Sequence, residues 1–216
     1  MVNHLFVTQL KKTKLNFSGK KVLITAGPTY EAIDPVRFIG NHSSGLMGIE
    51  VARAFADQGA DVTLVLGPSN ISPNRKNINL IPVTSAKEMY DAVMAFFPKT
   101  DIAVLSAAVA DFRPEMVADQ KIKKNPENDT FTIKLVKTED ILKSVGKIKT
   151  ENQTVVGFAL ETENGLENAK KKLHTKNIDL IVLNEMNESG VGFKTKTNKI
   201  SIITKNDEVP VAIPAA

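Results

Sequence analysis

Three segments of the sequence bring together residues that can bind an anion or a nucleotide. They are Asp34–Gly45, Ala107–Lys124 and Val156–Thr162. Each combines glycine or alanine with polar or charged side chains, and small residues let a ligand approach the backbone closely. The chemistry of the protein is therefore expected in these three segments.

The glycines of the first segment suggest a phosphate loop that leads into a helix. Backbone N–H groups and the helix dipole at a helix N-terminus favour an anion. Gly40 and Gly45 have the glycine spacing of a Walker A loop, but Leu46 and Met47 stand where that loop needs Lys and Ser or Thr. A turn with close helix packing explains the glycines about as well.

Polar side chains of the same segment add to the predicted anion site. Asn41, Ser43 and Ser44 supply donors, although an N-cap is an equally ordinary role for either serine. Arg37 can pair with a phosphate or with a nearby carboxylate, and the sequence leaves both open.

The second and third segments follow apolar runs that read as buried strands. Asp111 comes just after such a run, where it can bind Mg²⁺ or a sugar hydroxyl or can cap the loop. Lys121 and Lys124 lie in a stretch without an apolar face, which indicates either a mobile basic lid over a polyphosphate or a solvated surface. Phe158 can stack on a base or pack in the core, and Lys172 and Lys176 share one helical face.

Alternating strands and helices must position these segments. Apolar or β-branched runs predict strands at 21–25, 61–66, 79–83, 102–106, 130–135, 154–158 and 179–183, with an edge strand at 199–204. Helical periodicity predicts four helices, which are one at 46–58, one that begins after a capping box at Ser85, one that begins after a cap at Thr138, and one at 165–176. The residues between the first strand and the first helix, at 26–44, are predicted to form a loop of about twenty residues. This order predicts one α/β domain, Rossmann-like and doubly wound, with a mostly parallel sheet and ligands at the carboxyl ends of its strands.

Composition and domain bounds narrow the function. We divide the chain into an extension at 1–19, a nucleotide-binding domain at 20–204 and a tail at 205–216. With no Cys and three His, a thiolate nucleophile is excluded and a His-rich metal site is disfavoured. No apolar run is long enough to span a membrane and no signal peptide is evident, so a cytoplasmic protein without a membrane partner is expected.

The sequence lacks the motifs and composition that are typical of two other function classes. A net charge of +4 with no Trp and two Tyr argues against a nucleic-acid partner. Neither a G-x-G-x-x-G fingerprint nor a Tyr-x-x-x-Lys pair is present, which argues against a nicotinamide-dependent oxidoreductase. A non-catalytic nucleotide-binding module on the same fold stays open until turnover is measured.

The three segments together resemble the phosphopantothenate–cysteine ligases. Asp34–Gly45 resembles their D-P-V-R-x-I-x-N-H-S-S-G signature, and Val156–Thr162 resembles V-G-F-A-x-E-T. Ala107–Phe112 and Lys121–Lys124 resemble A-A-V-A-D-[FY] and K-I-K-K. The spacing between these blocks also fits the family, from about residue 20 to residue 203.

The resemblance implies a ligase of coenzyme A synthesis. Such an enzyme joins 4′-phosphopantothenate to L-cysteine with CTP and Mg²⁺, through an acyl-cytidylate, and releases phosphopantothenoylcysteine, CMP and pyrophosphate. The choice of CTP over ATP comes only from the bacterial members. The resemblance also implies a homodimer, with a small β-extension used in dimerisation and the active site at the dimer interface.

The resemblance assigns roles to individual residues. Asn41 is expected to contact the phosphopantothenoyl part of the intermediate, Lys121 on a flexible flap to neutralise the triphosphate, and Arg37 to act with them in catalysis. Asp111 is expected to serve nucleotide or metal binding, and backbone groups around Ala107 to read the pyrimidine. The full set of expected nucleotide-site positions is Gly27, Ser43, Ser44, Gly45, Ala107, Ala108, Asp111, Lys124, Asp140, Ile141, Phe158, Lys172 and Lys176.

The sequence departs from the family pattern at three places. Many bacterial relatives carry an N-terminal flavin-dependent decarboxylase, whereas about nineteen residues precede the first strand here, so we expect the stand-alone synthetase and no flavin. Gly40 and Leu160 stand where other residues are commoner. The chain ends at Val209–Ala216 without the amphipathic helix usual in the family.

Overall fold

A central sheet covered by helices organises the computed structural model, which describes residues 16–124, 130–161, 163–185, 199–205 and 208–212. Its strands are β1 (Lys21–Ala26), β2 (Tyr30–Ala32), β3 (Phe38–Gly40), β4 (Asp61–Leu66), β5 (Ile78–Pro82), β6 (Ile102–Leu105), β7 (Phe112–Pro114), β8 (Leu135–Lys137), β9 (Thr154–Glu161), β10 (Leu180–Glu185), β11 (Lys199–Thr204) and β12 (Glu208–Ala212). Its α-helices are α1 (Leu46–Asp57), α2 (Ala86–Phe96), α3 (Ile141–Ile148) and α4 (Gly165–Thr175). Most of the N-terminal extension, Thr162 of the third segment and part of the C-terminal tail lie outside the described residues.

The strand order is that of a doubly wound, Rossmann-like sheet. The described strands of the main sheet run β12-β11-β10-β9-β6-β1-β4-β5. From β5 to β10 every neighbouring pair is parallel, and β11 and β12 are added antiparallel. The parallel part has the order 3-2-1-4-5-6, so the chain reverses direction across the sheet between β1 and β6. This confirms the predicted fold class.

Two apolar cores form because β1 buries both of its faces. Val22 and Ile24 pack with α1 on one face of the sheet, in a cluster that includes Ile49. Leu23 faces the other side, where α2, α3 and α4 pack in a cluster that includes Met89 and Leu173. A strand buried on both faces carries a nearly continuous apolar run, and this run is why the sequence alone predicted β1.

Helix ends are fixed by local side-chain contacts, one of which corrects a prediction. At α2, Ser85 and Glu88 form the predicted capping box. At α3 the cap is Asp140, whose side chain accepts from the N–H of Lys143, and not Thr138. Thr138 lies two residues before the cap, and its hydroxyl donates to the carbonyl of Ala110 at 2.6 Å. The prediction failed because Thr138 and Asp140 are both acceptable N-caps and only tertiary contacts decide between them.

A small antiparallel hairpin replaces the predicted loop between β1 and α1. Strands β2 and β3 pair there, with Tyr30 opposite Gly40. The rings of Tyr30 and Phe38 stack with centroids 3.9 Å apart. A Cβ at position 40 would lie 2.7 Å from Tyr30 Cδ1 and 2.7 Å from the carbonyl oxygen of Thr29, so the ring over the backbone explains why glycine stands here.

Two further strand predictions were wrong, one in the residues of the strand and one in its place in the sheet. The strand predicted at 130–135 is β8 at Leu135–Lys137, where antiparallel pairing with β7 sets its register. The strand at 199–204 was predicted as an edge strand, but β11 lies between β10 and β12. The outer strand β12 falls within the predicted C-terminal tail. No helix among the described residues is long and apolar enough to cross a bilayer.

Candidate active site

The segments that follow β1 and β6 are held together at the point where the strand order reverses. The hydroxyl of Ser106 donates to the carbonyl of Thr25 at 2.7 Å, and the N–H of Ala107 donates to Thr25 Oγ1 at 3.3 Å. The N–H of Ala108 donates to the carbonyl of Gly27 at 2.9 Å, and Pro28 and Ala108 form an isolated parallel bridge. The two chain segments therefore leave the sheet as a pair and form one wall of the site.

A cavity of about 490 Å³ opens at this position. Sites for small molecules usually have volumes of about 300–1,000 Å³, and open α/β sheets place them at this crevice. Six of the residues predicted from the sequence line the cavity: Ala107, Asp111, Asp140, Ile141, Phe158 and Lys176. Phe158 also packs against the core on the α1 side of the sheet, which is the core role considered for it from the sequence, while its stacking on a base stays a prediction.

Asp140 joins two helices at the cavity wall. Its Oδ1 accepts from the N–H of Lys143 at 2.9 Å, which caps α3. Its Oδ2 lies 3.0 Å from Nζ of Lys176, the C-cap residue of α4. A single carboxylate thus fixes the start of α3 and the position of the lysine head group beside the cavity.

Sequence reasoning missed several residues of the cavity wall. Thr25, Lys137, Thr138 and Glu139 line it and were not among the predicted site residues. The N–H of Thr138 donates to the carbonyl of Asp111 at 3.0 Å, so the segment before α3 is tied to the segment after β6. The usable signal was the position of Thr25 at the end of a core strand; nothing local in the sequence marks residues 137–139.

The N-terminus of α1 lies against the same strand ends. Gly45 is its N-cap, with a φ of 77°, and as a glycine it has no side chain with which to cap the helix. A Cβ at Gly48 would lie 2.5 Å from Ala26 Cβ and 2.5 Å from Ser106 Oγ. The glycines therefore serve close packing, which brings the N-terminus of α1 against the ends of β1 and β6.

Four predicted residues occupy the turn before α1 and its neighbouring loop. Ser43 Oγ accepts from the N–H of Gly45 at 3.2 Å, and Ser44 Oγ accepts from the N–H of Leu46 at 3.3 Å. Gly27 has a φ of 81°, and a Cβ there would lie 3.1 Å from the carbonyl oxygen of Gly67. None of the four lines the cavity, and neither serine is the N-cap.

Asn41 connects the β2–β3 hairpin to the cavity wall. Its Nδ2 donates to the carbonyls of Ala108 at 3.2 Å and Val109 at 3.0 Å. Val109 lines the cavity, whereas Asn41 itself is exposed at its rim. The amide therefore holds the hairpin in place and keeps its own side chain next to the site.

Arg37 pairs with a carboxylate in this structure. Its guanidinium donates to Asp34 Oδ2, with Nε at 3.0 Å, and its Nη2 also donates to the carbonyl of Ile122 at 3.0 Å. Arg37 holds the pKa of Asp34 well below its usual range; burial of the carboxyl opposes this shift, and the backbone N–H groups of Val36 and Ile122 support it. The carboxylate pairing considered from the sequence is thus the one observed.

The remaining predicted lysines do not line the cavity. Lys121 and Lys124 are exposed. Lys172 forms an ion pair with Glu161, with Nζ 2.6 Å from Oε1, and Asn168 donates to the other oxygen of that carboxylate at 3.0 Å. Lys172 and Lys176 therefore share a helical face, as predicted, but bind different carboxylates.

The acidic groups of the site fit a magnesium ion that is carried mainly by phosphate oxygens. Asp111, Glu139 and Asp140 line the cavity. Among the described residues, no three His, Cys, Asp or Glu side chains are grouped so that they could hold a metal alone. Mg²⁺ at nucleotide sites commonly uses one or two carboxylates and completes its shell with phosphate and water, which this donor set allows.

Comparison with known proteins assigns the family. The family described as the DNA/pantothenate metabolism flavoprotein C-terminal domain matches residues 17–214. The chain belongs to this family. The assignment confirms the resemblance found in the three sequence segments, which was to the ligase members of coenzyme A synthesis.

Individual members of the family are similar over most of the chain. A "Cysteine/Cysteine sulfinic acid decarboxylase" from an unknown prokaryotic organism is 50% identical over 204 residues, which are 94% of this chain and 56% of that protein. The coenzyme A biosynthesis bifunctional protein CoaBC of Vibrio cholerae is 48% identical over 190 residues, 88% of this chain and 47% of that protein. The chain thus spans about half the length of these curated relatives.

A solved structure matches the fold of the whole domain. The crystal structure of the C-terminal domain of a CoaBC protein has a TM-score of 0.76 and 38% identity, and the match covers 92% of this chain and 89% of that one. The family domain described here is thus equivalent in extent to that C-terminal domain.

Proposed function

We propose that this domain joins 4′-phosphopantothenate to L-cysteine at the expense of CTP. The observation that carries the proposal is the cavity at the β1–β6 reversal, whose wall includes Ala107, Asp111 and Phe158 from two of the family-like segments. Asn41, from the remaining segment, binds the backbone of that wall. Similarity to the CoaBC C-terminal domain supports the assignment to coenzyme A synthesis.

The proposed reaction has two displacement steps. In the first, a carboxylate oxygen of phosphopantothenate attacks the α-phosphorus of CTP; the new P–O bond forms as the bond to the β-phosphate oxygen breaks, and pyrophosphate leaves. In the second, the cysteine amine attacks the acyl carbon, the bond to CMP breaks, and the amine loses a proton. Nucleotidylation is needed because a free carboxylate is a poor electrophile, so the protein mainly positions groups and neutralises charge.

The geometry supports a division of the cavity between base and phosphates. Phe158 offers a ring face for the pyrimidine, and the backbone at Ala107 lies at the same wall. Lys176 brings a positive charge to the cavity. We also assign to the phosphates the backbone N–H groups at the N-terminus of α1, which packs against the ends of β1 and β6. We assign Asn41 to the phosphopantothenoyl group and Lys121 to the triphosphate. The ion Mg²⁺, bound by phosphates near Asp111, would neutralise charge on the transferring groups.

We also propose that two copies of the domain associate through the β2–β3 and β7–β8 hairpins. Apolar side chains there are unusually exposed: Val36 at 60%, Phe38 at 52% and Phe112 at 44%. Clustered exposed apolar residues mark protein contacts. Light scattering on the purified protein tests this, and a monomer at all concentrations would contradict it.

We further propose that the protein acts in the cytoplasm, which fits the proposed use of CTP.

Pyrophosphate release tests the proposed function directly. The protein is incubated with 4′-phosphopantothenate, L-cysteine and Mg²⁺, with CTP or ATP in parallel. We expect release that requires phosphopantothenate and is faster with CTP, and an amide product that requires cysteine. CTP binding without any release would instead indicate a nucleotide-binding module. Release that is faster with ATP would contradict the nucleotide assignment alone.

A further inference from the structure

The backbone at Ile122, between two lysines of the Lys121–Lys124 segment, is held from both sides by the β2–β3 hairpin. The N–H of Ile122 donates to Asp34 Oδ2 at 3.1 Å. The carbonyl of the same residue accepts from Nη2 of Arg37 at 3.0 Å. The backbone of one residue is thus bound at its donor and at its acceptor by two side chains that also bind each other.

Asp34 can bind both the hairpin and Ile122 because its two carboxylate oxygens accept hydrogen bonds from different partners. Its side chain is fully buried. Oδ1 accepts from the N–H groups of Val36 and Arg37, both at 2.9 Å, and so closes the turn between β2 and β3. Oδ2 accepts from the Arg37 guanidinium and from Ile122, which lies 88 residues away in the chain. The first oxygen stabilises the hairpin, and only the second reaches the lysine segment.

The hairpin is in turn fixed to the cavity wall. Asn41, at the end of β3, donates to the carbonyls of Ala108 and Val109. The carbonyl of Ile33, next to Asp34, accepts from the N–H of Ala118 at 3.0 Å. A continuous set of contacts therefore leads from the cavity through the hairpin to Ile122. Consecutive Cα atoms are about 3.8 Å apart, so fixing Ile122 also fixes the point from which the side chain of Lys121 extends.

We infer that Asp34, together with Arg37, is a positioning residue that anchors the lysine segment at Ile122 and so sets where Lys121 acts. This inference rests on the proposed function, because it takes Lys121 as the group that neutralises the triphosphate. It assigns Asp34 no contact with substrate; the carboxylate acts through the backbone of the segment. It also gives Arg37 a role in this structure that differs from direct binding of a phosphate.

The substitution Asp34→Asn separates the two tasks of the carboxylate. The amide keeps one oxygen, which can accept the turn N–H groups of Val36 and Arg37. Its NH₂ group then faces the Ile122 N–H and the guanidinium, all of them donors, so the contact with Ile122 is lost. Asp179→Asn is the matched control, because Asp179 also accepts a backbone N–H, from Val155 at 2.8 Å, and also pairs with a lysine, Lys149.

Hydrogen exchange of single amides in the full chain tests the anchor without any turnover. In Asp34→Asn, exchange at Ile122 should accelerate about ten- to a hundredfold, as expected when a hydrogen bond to a charged group is lost. Exchange at Val36 and in β1 should accelerate much less than at Ile122, and Asp179→Asn should not accelerate Ile122 more than it accelerates β1. An Ile122 rate equal to that of the wild type would overturn the inference.

A second variant covers the case in which Asp34→Asn does not fold. Arg37→Lys keeps the positive charge but lacks the fork that reaches both Asp34 and the Ile122 carbonyl. Exchange at Ile122 should again accelerate, by a smaller factor. If it does not, the contact of the guanidinium with Ile122 is not an anchor and the inference fails.

Kinetics then ask whether Asp34 acts through Lys121. Asp34→Asn should lower kcat more than it raises KM for CTP, and in a Lys121→Gln background it should cost little more than Lys121→Gln alone. Losses that multiply would show that Asp34 acts independently of Lys121 and would overturn the inference. If the wild type has no ligase activity, the proposed function fails while the exchange experiment still decides whether the anchor exists.

Discussion

Gly48→Ala should destabilise the domain, although alanine is the better helix former. Gly48 lies in the first turns of α1, where an added Cβ would be 2.5 Å from Ala26 Cβ and 2.5 Å from Ser106 Oγ. Non-bonded heavy atoms prefer separations of about 3.5–4.0 Å. The helix and the ends of β1 and β6 would have to move apart by roughly 1 Å to accept the methyl group.

The expected magnitude follows from three opposing contributions. Replacing glycine by alanine inside a helix gains about 0.8–1.0 kcal/mol. Overpacking a tight core costs about 1–3 kcal/mol. Displacing Ser106 weakens its hydrogen bond to the carbonyl of Thr25, which is worth about 0.5–1.5 kcal/mol. The net loss in the free energy of unfolding is therefore about 0.5–3.7 kcal/mol, with a central value near 2.

Urea unfolding followed by circular dichroism measures this loss, and a CTP titration measures its effect on the site. Affinity for CTP should fall as well, because a displaced Ser106 moves its neighbour Ala107, which lines the cavity. The matched background is Ser106→Ala, which removes one of the two crowded atoms, so Gly48→Ala should cost about 1 kcal/mol less there. A Gly48→Ala variant that is as stable as the wild type, or more so, would refute the reasoning.

Three further predictions concern the proposed chemistry and the hairpin. Asn41→Asp should fold but lose the complete reaction, because a carboxylate cannot donate to the wall carbonyls and would repel the acyl-phosphate centre; full pyrophosphate release in that variant would remove Asn41 from the mechanism. Lys121→Gln should lower kcat/KM by the equivalent of about 2–4 kcal/mol, whereas an unchanged rate would indicate a solvated lysine. The pKa of Asp34 is lowered in the folded protein, so as the pH falls below about 4 the unfolded chain binds a proton at this residue before the folded chain does. The contribution of ionised Asp34 to stability is therefore present above about pH 4 and is lost as the pH falls further. Asp34→Asn should therefore flatten the decline of unfolding free energy as the pH falls below about 4, and an unchanged slope there would contradict the pKa assignment.

The sequence predicted those elements whose residues are buried on both faces or periodic along one. β1 and β4 carry β-branched runs that can only be core strands, and α1 repeats its apolar residues on one face. The hairpin between β1 and α1 was not predicted, because its strands have three residues each and take their pairing from each other. The residues of β8 could not be predicted from the sequence either, since only pairing with β7 fixes the register of this strand.

The candidate site was predictable where a residue lies near the carboxyl end of a core strand. Asp111, in the segment after β6, and Phe158, in the second half of β9, were found in this way, and both line the cavity. Residues joined by distant contacts were not found. Nothing local indicates that Asp34 binds Ile122, or that Lys137 and Glu139 face the cavity, because these relations depend on how separate loops fold back over the sheet.

The cavity wall draws on the chain from Thr25 to Lys176, so no smaller fragment of the domain can contain it whole. A ligand that fits the cavity must therefore bind the folded domain and not the unfolded chain. Such a ligand raises the melting temperature, by an amount set by RT ln(1 + [L]/Kd). At a hundred times its Kd, that is about 2.7 kcal/mol of added stability. Thermal denaturation in the presence of nucleotides, acids and amines is thus a direct way to screen for what the domain recognises, even before any turnover is observed.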